Sequence, residues 1–351
     1  MPAIAVDAMG GQHAPEAVVQ GVAQVSLRTD IECVLVGDAA RIQRILDGVA
    51  YNPEHIDIVH AGEVIGLEDD AREAVRRKRD ASLLAAMRLL TRGRCAAMVT
   101  AGNAGAAILG GLREFPLIPG VRKVAMAGVY PRTVDHPGQD PLALLLDVGS
   151  TVRCEVSELV QFGVMGAAYA RVVSKVDAPR VGLLNMGHAP EHGGAVLAAA
   201  HRQLAALARL NFVGNVEGHE LTSGRADVVI CEGLLGNIVI RLLESVATMA
   251  VDLTTSTAQR NWRWRAGMAM MATGADRLRA LADYASYGGA PLLGFQQLLI
   301  KAHRRSTAQS IANAVKVAAK AVRDGAVAEV TAAMAAMAAM PSDPAGRRNH
   351  R

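Results

Sequence analysis

Short apolar runs alternate with longer segments of helical periodicity along most of the chain. Several runs are continuously apolar, which is typical of strands covered on both faces of a sheet. The predicted strands are Ala3–Val6, Glu32–Val36, Ile56–Val59, Ala96–Thr100, Val124–Val129, Ala143–Leu146, Val181–Leu184, Asp227–Cys231 and Leu298–Ile300. The predicted helices between them are Pro15–Val25, Ala39–Leu46, Ala81–Leu90, Glu155–Val173, Ala195–Leu207 and Thr307–Arg323. This alternation predicts an α/β fold with a doubly wound, largely parallel sheet.

Two segments depart from the alternation. Residues Ile238–Ala285 hold two consecutive helix-length stretches with a turn near Asn261–Gly267, which predicts a helical hairpin protruding from the sheet. From residue 326 the chain is rich in Ala and Met and then in Pro and Arg, which predicts a frayed helix and a disordered end. We therefore expect one α/β catalytic unit over residues 1–325, with the hairpin inserted at about 238–285, and a low-complexity tail over 326–351.

The composition is that of a globular protein. The 351 residues are 51% hydrophobic and 20% charged, which argues against disorder. The net charge of +4 permits an acidic partner or an anionic membrane surface but does not indicate nucleic acid. The N-terminus lacks signal-peptide features, and no apolar run approaches the roughly 18 residues of a membrane span. We expect a soluble or peripheral protein with four buried free cysteines, suited to a reducing cytosol.

Five polar, glycine-rich turns follow predicted strands. Ligands in open α/β sheets bind at the carboxyl ends of strands, where helix N-termini point outward, so these turns predict one extended, backbone-lined anion site. None of them is a GxGxxG or GxxxxGK[ST] motif, which disfavours NAD and ATP. The candidate residues in the turns are Asp7, Gly10, Gly11, His13, Gly102, Asn103, Asp147, Gly149, Asn185, Gly187, Glu232, Gly233 and Asn237.

Three further segments carry candidate ligands. Lys78 and Asp80 lie in a charged segment that is either a solvated helix face or a contact for phosphate or an acidic carrier protein. Asn215 and Glu217 lie between two glycines, in a surface turn or a binding loop. Lys301 is a plausible anion ligand, whereas His303 beside it is more typical of a structural or exposed histidine. Gly288 and Gly289 form the glycine turn that precedes the Lys301 strand.

The tip of the predicted hairpin combines aromatic, basic and apolar residues, namely Trp262, Arg263, Trp264, Arg265 and Met268. This mixture indicates either an interfacial membrane contact or packing against a second copy of the chain. Stacking on nucleic-acid bases is the disfavoured interpretation.

The ordered motifs resemble the PlsX family of phosphate acyltransferases from about Ile4 to Val322. They are DAMGGxHAPE, HAxEVI, RxKxD, AGNxGA, LLDVG, QFxxMGxxYA, VGLLNxG, NFxGNVEG, CxGxxGN and YGGAPLLG followed by KAH. The resemblance implies an isocitrate/isopropylmalate-dehydrogenase-like fold and transfer of a fatty acyl group from acyl carrier protein to inorganic phosphate. It also implies a homodimer, a membrane glycerol-3-phosphate acyltransferase that consumes the acyl phosphate, and no metal or organic cofactor.

The chemistry that the resemblance implies is direct attack of phosphate on a thioester. It needs positioning and charge stabilisation rather than an acyl-enzyme, and the sequence offers no convincing Ser-His-Asp or Cys-His signature. We assign Asn103, Asn185, Lys301 and His13 as candidate catalytic residues, with the other candidates as substrate contacts.

The chain departs from the family pattern in several polar loops, at Gln12, Ala81, Ala104, Ser150, Thr151, Arg304 and Arg305. A divergent, non-catalytic paralogue that binds acyl carrier protein or membrane is therefore one alternative. A phosphotransacetylase-like enzyme using acyl-CoA is another. An NAD-dependent decarboxylating dehydrogenase is a third, but the sequence lacks the clustered Asp set that such an enzyme needs for its metal.

Overall fold

The computed structural model describes residues 3–134, 136, 140–260 and 288–339. The predicted tip of the hairpin, its second arm and the last residues of the chain lie outside this range. The strands are β1 Ala3–Asp7, β2 Cys33–Gly37, β3 Ile56–His60, β4 Cys95–Thr100, β5 Ala125–Pro131, β6 Leu142–Leu146, β7 Val181–Asn185, β8 Phe212–Glu217, β9 Val228–Ile230, β10 Ala290–Leu293 and β11 Leu298–Lys301. The helices are α1 Glu16–Arg28, α2 Ala39–Leu46, α3 Ala71–Arg77, α4 Ser82–Thr91, α5 Ala104–Glu114, α6 Val156–Val173, α7 Gly194–Ala206, α8 Gly233–Arg260, α9 Ala308–Arg323 and α10 Ala326–Ala338.

All the described strands belong to one sheet in the order β3-β2-β1-β4-β11-β10-β5-β6-β9-β7-β8. Neighbouring strands are parallel except at β11–β10, β10–β5 and β5–β6. The three reversals divide the sheet into two parallel sets, β3-β2-β1-β4-β11 and β6-β9-β7-β8, which run in opposite directions.

The carboxyl ends of the two sets meet near the centre of the sheet. Lys301 at the end of β11 pairs with Ala290 of β10, and Leu292 of the same strand pairs with Met126 of β5. The first residue after β6, Asp147, accepts a hydrogen bond from the Met126 amide at 3.0 Å. The ends of β11 and β6 are therefore only about two residues, or ~7 Å, apart along the strand direction.

Alternate residues of the strands face two apolar layers. Ile4, Val6 and Ile300 pack on one face, in a cluster with side chains of α1, α6, α9 and α10. Ala5 and Leu299 pack on the other, with side chains of α4 and α5. The predicted doubly wound, largely parallel sheet is thus confirmed, with helices on both faces.

Two strands were not predicted. Phe212–Glu217 had been interpreted in part as a surface turn because Gly214 and Asn215 resemble turn residues, but it pairs in parallel with β7. Gly214 has φ of 85° within this strand, which fits the shift in the β7–β8 register. The other unpredicted strand, β10, has only four residues and is flanked by glycines.

The helix predicted at the start of the tail is present over residues 326–338, but it is packed rather than frayed. These form α10, which follows Gly325 in a left-handed conformation with φ of 72°. Val330 and Met334 are buried in the apolar layer that also contains α6. This segment resembled low-complexity sequence because most of its residues are alanine. The alanines obscure the four-residue spacing of the buried Val330 and Met334.

The helix α8 begins five residues before the predicted start of the hairpin. Of the described helices, it is the one long and apolar enough to cross a membrane by length and composition, over Gly233–Ala250. The sequence had been expected to hold no such segment. Its Arg241 and Glu244 lie on the side that faces the cleft described below, and apolar side chains cover the opposite side.

The packing of α10 predicts a stability effect. Met334 is 1% exposed, so Met334→Ala should lower the free energy of unfolding by about 2–4 kcal/mol, measured by urea denaturation. Met186→Ala is the matched control, because Met186 is 82% exposed and its truncation should change stability by less than about 0.5 kcal/mol. Equal, small effects of the two substitutions would contradict a packed α10.

Candidate active site

A cleft of about 370 Å³ lies where the two sets of strands meet. Its lining comes from the ends of β4 and β11, from β5 and β10 between the sets, from the turn after β6 and from one face of α8. Its lining includes Gly102, Asn103, Ala104, Gly105, Met126, Gly128, Val148, Gly149, Asn237, Ile240, Arg241, Glu244, Gly289, Lys301, His303 and Arg304. The predicted convergence of glycine turns on one site is therefore present for the turns after β4 and β6 and for the start of α8.

The N-terminus of α5 forms one wall of the cleft. Asn103 caps this helix, because its side-chain oxygen accepts a hydrogen bond from the Ala106 amide at 3.0 Å. The first amides of the helix, at Ala104 and Gly105, have no acceptor within the helix, and both residues line the cleft. They give the wall a partial positive charge that suits an anion.

The Asn103 side chain is engaged in holding this wall. Its amide nitrogen donates to the carbonyl oxygens of Asp69 at 3.0 Å and Leu67 at 3.2 Å. Asn103 therefore fixes the loop 66–69 against the start of α5. In this arrangement its contribution to the site is the orientation of the helix amides.

Lys301 lies at the bottom of the cleft, at the end of β11. Its ammonium group is buried and donates to the Ala302 carbonyl oxygen at 2.6 Å. Burial lowers the pKa of Lys301 to about 8, against the opposing effect of the Asp7 carboxylate. The side chain is thus a cation whose charge can be lost within one pH unit of neutral conditions.

Behind Lys301, Asp7 terminates β1 in a buried network. Its two carboxyl oxygens accept hydrogen bonds from Ser82 Oγ at 2.6 Å and Thr100 Oγ1 at 2.7 Å. Burial raises the pKa of Asp7, while these hydrogen bonds and Lys301 favour the charged form. The adjacent turn fits tightly, since a Cβ on Gly10 would lie 2.8 Å from the Gly102 amide nitrogen. Asp7 and Gly10 therefore support the cleft from behind and do not line it.

The turn after β6 is organised around the buried carboxylate of Asp147. This group accepts hydrogen bonds from the amides of Gly149 and Ser150 at 3.0 Å and of Thr151 at 2.7 Å. Gly233 begins α8 against this turn, where any Cβ would overlap the Thr151 carbonyl oxygen. Asp147 and Gly233 thus shape the turn, while Gly149 faces the cleft.

The cleft-facing side of α8 was missed by the sequence analysis except for Asn237. Ile240, Arg241 and Glu244 follow Asn237 at helical spacings of three, four and seven residues. That periodicity was the available signal, but the segment had been interpreted only as one arm of the hairpin. A Cβ on Gly128 would lie 2.8 Å from Val148 and 3.1 Å from Ile240, so this glycine lets α8 approach β5 closely.

The electrostatics of the cleft favour an anion. Its described lining carries the cations Lys301, Arg241 and Arg304 against one carboxylate, Glu244. Burial, together with the neighbouring positive charges, lowers the pKa of His303. Apolar atoms of Met126, Val148 and Ile240 line the same space. The site can hold an oxyanion beside an apolar group.

Comparison with known proteins places the chain in a family. Residues 3–329 match the family model described as "Fatty acid synthesis protein". A phosphate acyltransferase from Thermoanaerobacter pseudethanolicus is 37% identical over 316 residues, covering 90% of this chain and 92% of that protein. The phosphate acyltransferase from Pelotomaculum thermopropionicum is 37% identical over 321 residues and covers 92% of each chain. The chain belongs to the PlsX family of phosphate acyltransferases.

Solved structures with a similar fold include a phosphotransacetylase and a dehydrogenase. A phosphotransacetylase from Streptococcus pyogenes superposes with a TM-score of 0.59 at 15% identity, over 91% of this chain and 93% of that chain. A 4-hydroxythreonine-4-phosphate dehydrogenase from Klebsiella pneumoniae gives 0.53 at 16% identity, over 92% of this chain and all of that chain. The predicted similarity to phosphotransacetylase and dehydrogenase folds is thereby confirmed.

Two charged candidates of the phosphate acyltransferase motifs serve the loop beside the cleft. Lys78 donates to the Val64 carbonyl oxygen at 2.8 Å and to the Asp69 carboxylate at 2.7 Å, which lowers the pKa of Asp69. Asp80 accepts a hydrogen bond from the Gly62 amide at 2.8 Å. Lys78 thus orders the loop that Asn103 also holds, Asp80 orders the residues just before it, and neither lines the cleft.

The candidates on β7 and β8 form a separate cluster along the same edge as β6. Asn185 donates to the His192 carbonyl oxygen at 3.0 Å, and Asn215 donates to the Gly187 carbonyl oxygen at 3.1 Å. Glu217 lies 3.6 Å from His188. Because β9 separates β7 from β6, β7 is displaced by two strand spacings and β8 by three, or about 10 and 14 Å. The structure does not bring Asn185, Gly187, Asn215 and Glu217 into the lining of the cleft.

The remaining candidates also lie off the cleft surface. His13 is exposed, and the neighbouring Gly11 packs near Ala101. Glu232 accepts a hydrogen bond from the Cys154 amide at 3.3 Å. Gly288 packs against Val317, whereas its neighbour Gly289 lines the cleft. The candidates Trp262, Arg263, Trp264, Arg265 and Met268 lie outside the described residues.

The buried position of Lys301 predicts a pH dependence. If its ammonium group binds phosphate, the KM for phosphate should rise as the pH increases through about 8, because the neutral amine no longer attracts the anion. Initial rates at varied phosphate concentration, measured between neutral pH and pH ~9, test this.

The matched variant is Lys301→Arg, whose guanidinium stays charged throughout the range, so its profile should be flat above pH ~8. A rise of equal size in both proteins would exclude Lys301 as its source.

Proposed function

We propose that the protein transfers a fatty acyl group from a carrier thioester to inorganic phosphate, giving acyl phosphate for phospholipid synthesis. The observation that carries this proposal is a cleft that joins helix amides and cations to an apolar wall, in a member of the phosphate acyltransferase family.

The reaction requires positioning rather than a protein nucleophile. A phosphate oxygen forms a bond to the thioester carbonyl carbon, and the carbonyl oxygen becomes an oxyanion. When the carbonyl re-forms, the carbon–sulfur bond breaks and the thiolate leaves. A thiol has a pKa of about 8.5, so its departure needs little acid assistance.

Residues of the cleft match the two charges that this path creates. Lys301 and the amides of Ala104 and Gly105 are suited to hold phosphate or the developing oxyanion. One preorganised donor of this kind typically lowers a barrier by roughly 3–4 kcal/mol. Met126, Val148 and Ile240 are suited to the start of the acyl chain.

Acyl carrier protein is our proposed donor. Carrier proteins are acidic, and Arg304 and Arg241 give the exposed part of the cleft a positive charge. We further propose that the enzyme acts in the cytoplasm, peripherally at the membrane, where a glycerol-3-phosphate acyltransferase consumes the acyl phosphate.

The exposed side of α8 supports a homodimer. Leu235, Ile238, Leu242, Val246, Met249 and Leu253 form a stripe along the helix, at spacings of three and four residues, and are 41–66% exposed. This spacing is typical of a helix that packs against another helix. We propose a second copy of α8 as its occupant, with membrane contact as the alternative.

The decisive assay combines the purified chain with acyl carrier protein loaded with a fatty acyl group and with inorganic phosphate. We expect phosphate-dependent formation of acyl phosphate, detected as the hydroxamate. Acyl-CoA and acetyl-CoA are the comparison donors, and we expect lower kcat/KM with both. Binding of the acyl carrier protein without turnover would identify a non-catalytic paralogue.

The proposed dimer predicts a change of oligomeric state. Leu242→Asp places a charge at the centre of the stripe and should convert a dimer into a monomer, measured by light scattering after gel filtration. Leu27→Asp is the control because Leu27 is 54% exposed on α1, away from the stripe. A monomeric wild-type protein would contradict the proposed dimer. Membrane contact would then be the remaining explanation for the apolar stripe, and binding to lipid vesicles would test it.

A further inference from the structure

The cations of the cleft differ in the hydrogen bonds and ion pairs that they form with other residues. Lys301 donates to the Ala302 carbonyl oxygen, and Arg304 forms an ion pair with Glu68 at 3.3 Å. Among the described residues, Arg241 makes one weak contact, from Nε to the Asn237 side-chain oxygen at 3.3 Å. Within the described residues, no carboxylate forms an ion pair with it. Arg241 lines the cleft, and none of the described residues bonds its terminal nitrogens, so these can bind a ligand there.

Glu244 lies one helical turn further along the same face of α8. Its side chain is half-buried and lines the cleft with Arg241. Burial raises the pKa of Glu244, and the charge of Arg241 opposes that effect. The two side chains are near enough to interact electrostatically, yet they form no ion pair with each other in the described structure. Both face the same cavity, where a small ion can contact both.

We propose that Arg241 and Glu244 together recognise the phosphate substrate and distinguish it from other tetrahedral anions. The guanidinium binds unprotonated oxygens through its terminal nitrogens, and the Glu244 carboxylate accepts a hydrogen bond from the P–OH group. This inference rests on the proposed function, since it concerns the acceptor of that reaction.

The chemistry of the two groups explains why each binds a different part of phosphate. A guanidinium presents a planar fork of donors that matches two oxygens of a tetrahedral oxyanion. An ionised carboxylate can only accept hydrogen bonds. At neutral pH inorganic phosphate carries at least one hydroxyl group, whereas sulfate carries none. Sulfate would therefore meet the carboxylate without a proton between them, and the like charges would repel.

The position of the pair also fits the reaction. The face of α8 that carries Arg241 and Glu244 lines the cleft together with the start of α5 and the end of β11. A phosphate held from the α8 side leaves the amides of Ala104 and Gly105 available for the thioester oxygen. The two anionic centres of the reaction then have separate donors.

The test compares wild type with Arg241→Ala, Arg241→Lys and Glu244→Gln, using inorganic phosphate as substrate and sulfate as inhibitor. We expect Arg241→Ala to raise the KM for phosphate by about tenfold to a hundredfold, with a smaller increase in Arg241→Lys, which keeps the charge but loses the fork. We expect Glu244→Gln to lower the inhibition constant of sulfate by about tenfold or more, because the Gln amide can donate to an anion. Arg202→Ala and Glu54→Gln are the controls, since both residues are exposed and lie outside the cleft.

A second readout does not depend on turnover. Phosphate should raise the thermal midpoint of wild type in a concentration-dependent way, and Arg241→Ala should need about tenfold to a hundredfold more phosphate for the same shift, while its midpoint without phosphate is unchanged. Sulfate should stabilise Glu244→Gln but not wild type.

The outcomes separate this inference from the proposed function. In one outcome, the wild type forms acyl phosphate while the variants keep its KM for phosphate and its inhibition constant for sulfate. That result would overturn the role of Arg241 and Glu244 but not the proposed function. A wild type that forms no acyl phosphate would overturn the proposed function. In that case, equal phosphate-dependent thermal shifts in wild type and Arg241→Ala would also overturn the phosphate recognition proposed for the pair.

Discussion

The site depends on one constraint, the reversal of strand direction across β10, β5 and β6. A fully parallel sheet would place all its carboxyl ends at one edge, as a row of turns. Here the two parallel sets run in opposite directions, and their ends meet beside the central strands. The start of α5, the end of β11, the turn after β6 and one side of α8 therefore face one cleft. The Met126 amide donates a hydrogen bond to the Asp147 carboxylate, and the Val148 amide donates one to the Met126 carbonyl oxygen, so β5 is fixed against the turn after β6.

Burial decides which polar groups serve the ligand and which serve the scaffold. Asp147 and Asp7 are buried carboxylates with several donors each, and they fix turns rather than face the cleft. Asn103, Asn185 and Asn215 likewise use their amide groups on backbone carbonyls. Leaving such groups unpaired in the interior would be costly, so side chains that look chemically available in a sequence are engaged in the fold. The groups left for a ligand are mainly backbone amides and cations.

The helix α8 shows how one element can serve two purposes. Its polar face closes the cleft, and its apolar stripe lies on the opposite side of the helix. A change in what covers the stripe would therefore act on a helix that also carries Arg241 and Glu244. The glycines at positions 128 and 233 permit this arrangement, because side chains there would push α8 away from the sheet.

The sequence by itself determined the fold class, most of the elements and the family. Apolar runs and helical periodicity are local properties of the chain, and hydrophobic burial enforces them wherever the segments pack. It also singled out Lys301 and the glycine turns after β4 and β6 as candidates, and these line the cleft. The tertiary structure alone decided which turns meet, since the order and direction of strands depend on pairings between residues far apart in the chain. For the same reason it placed Asn185 two strands and Asn215 three strands away from β6, packed α10 on α6, and brought Arg241 and Glu244 to the cleft.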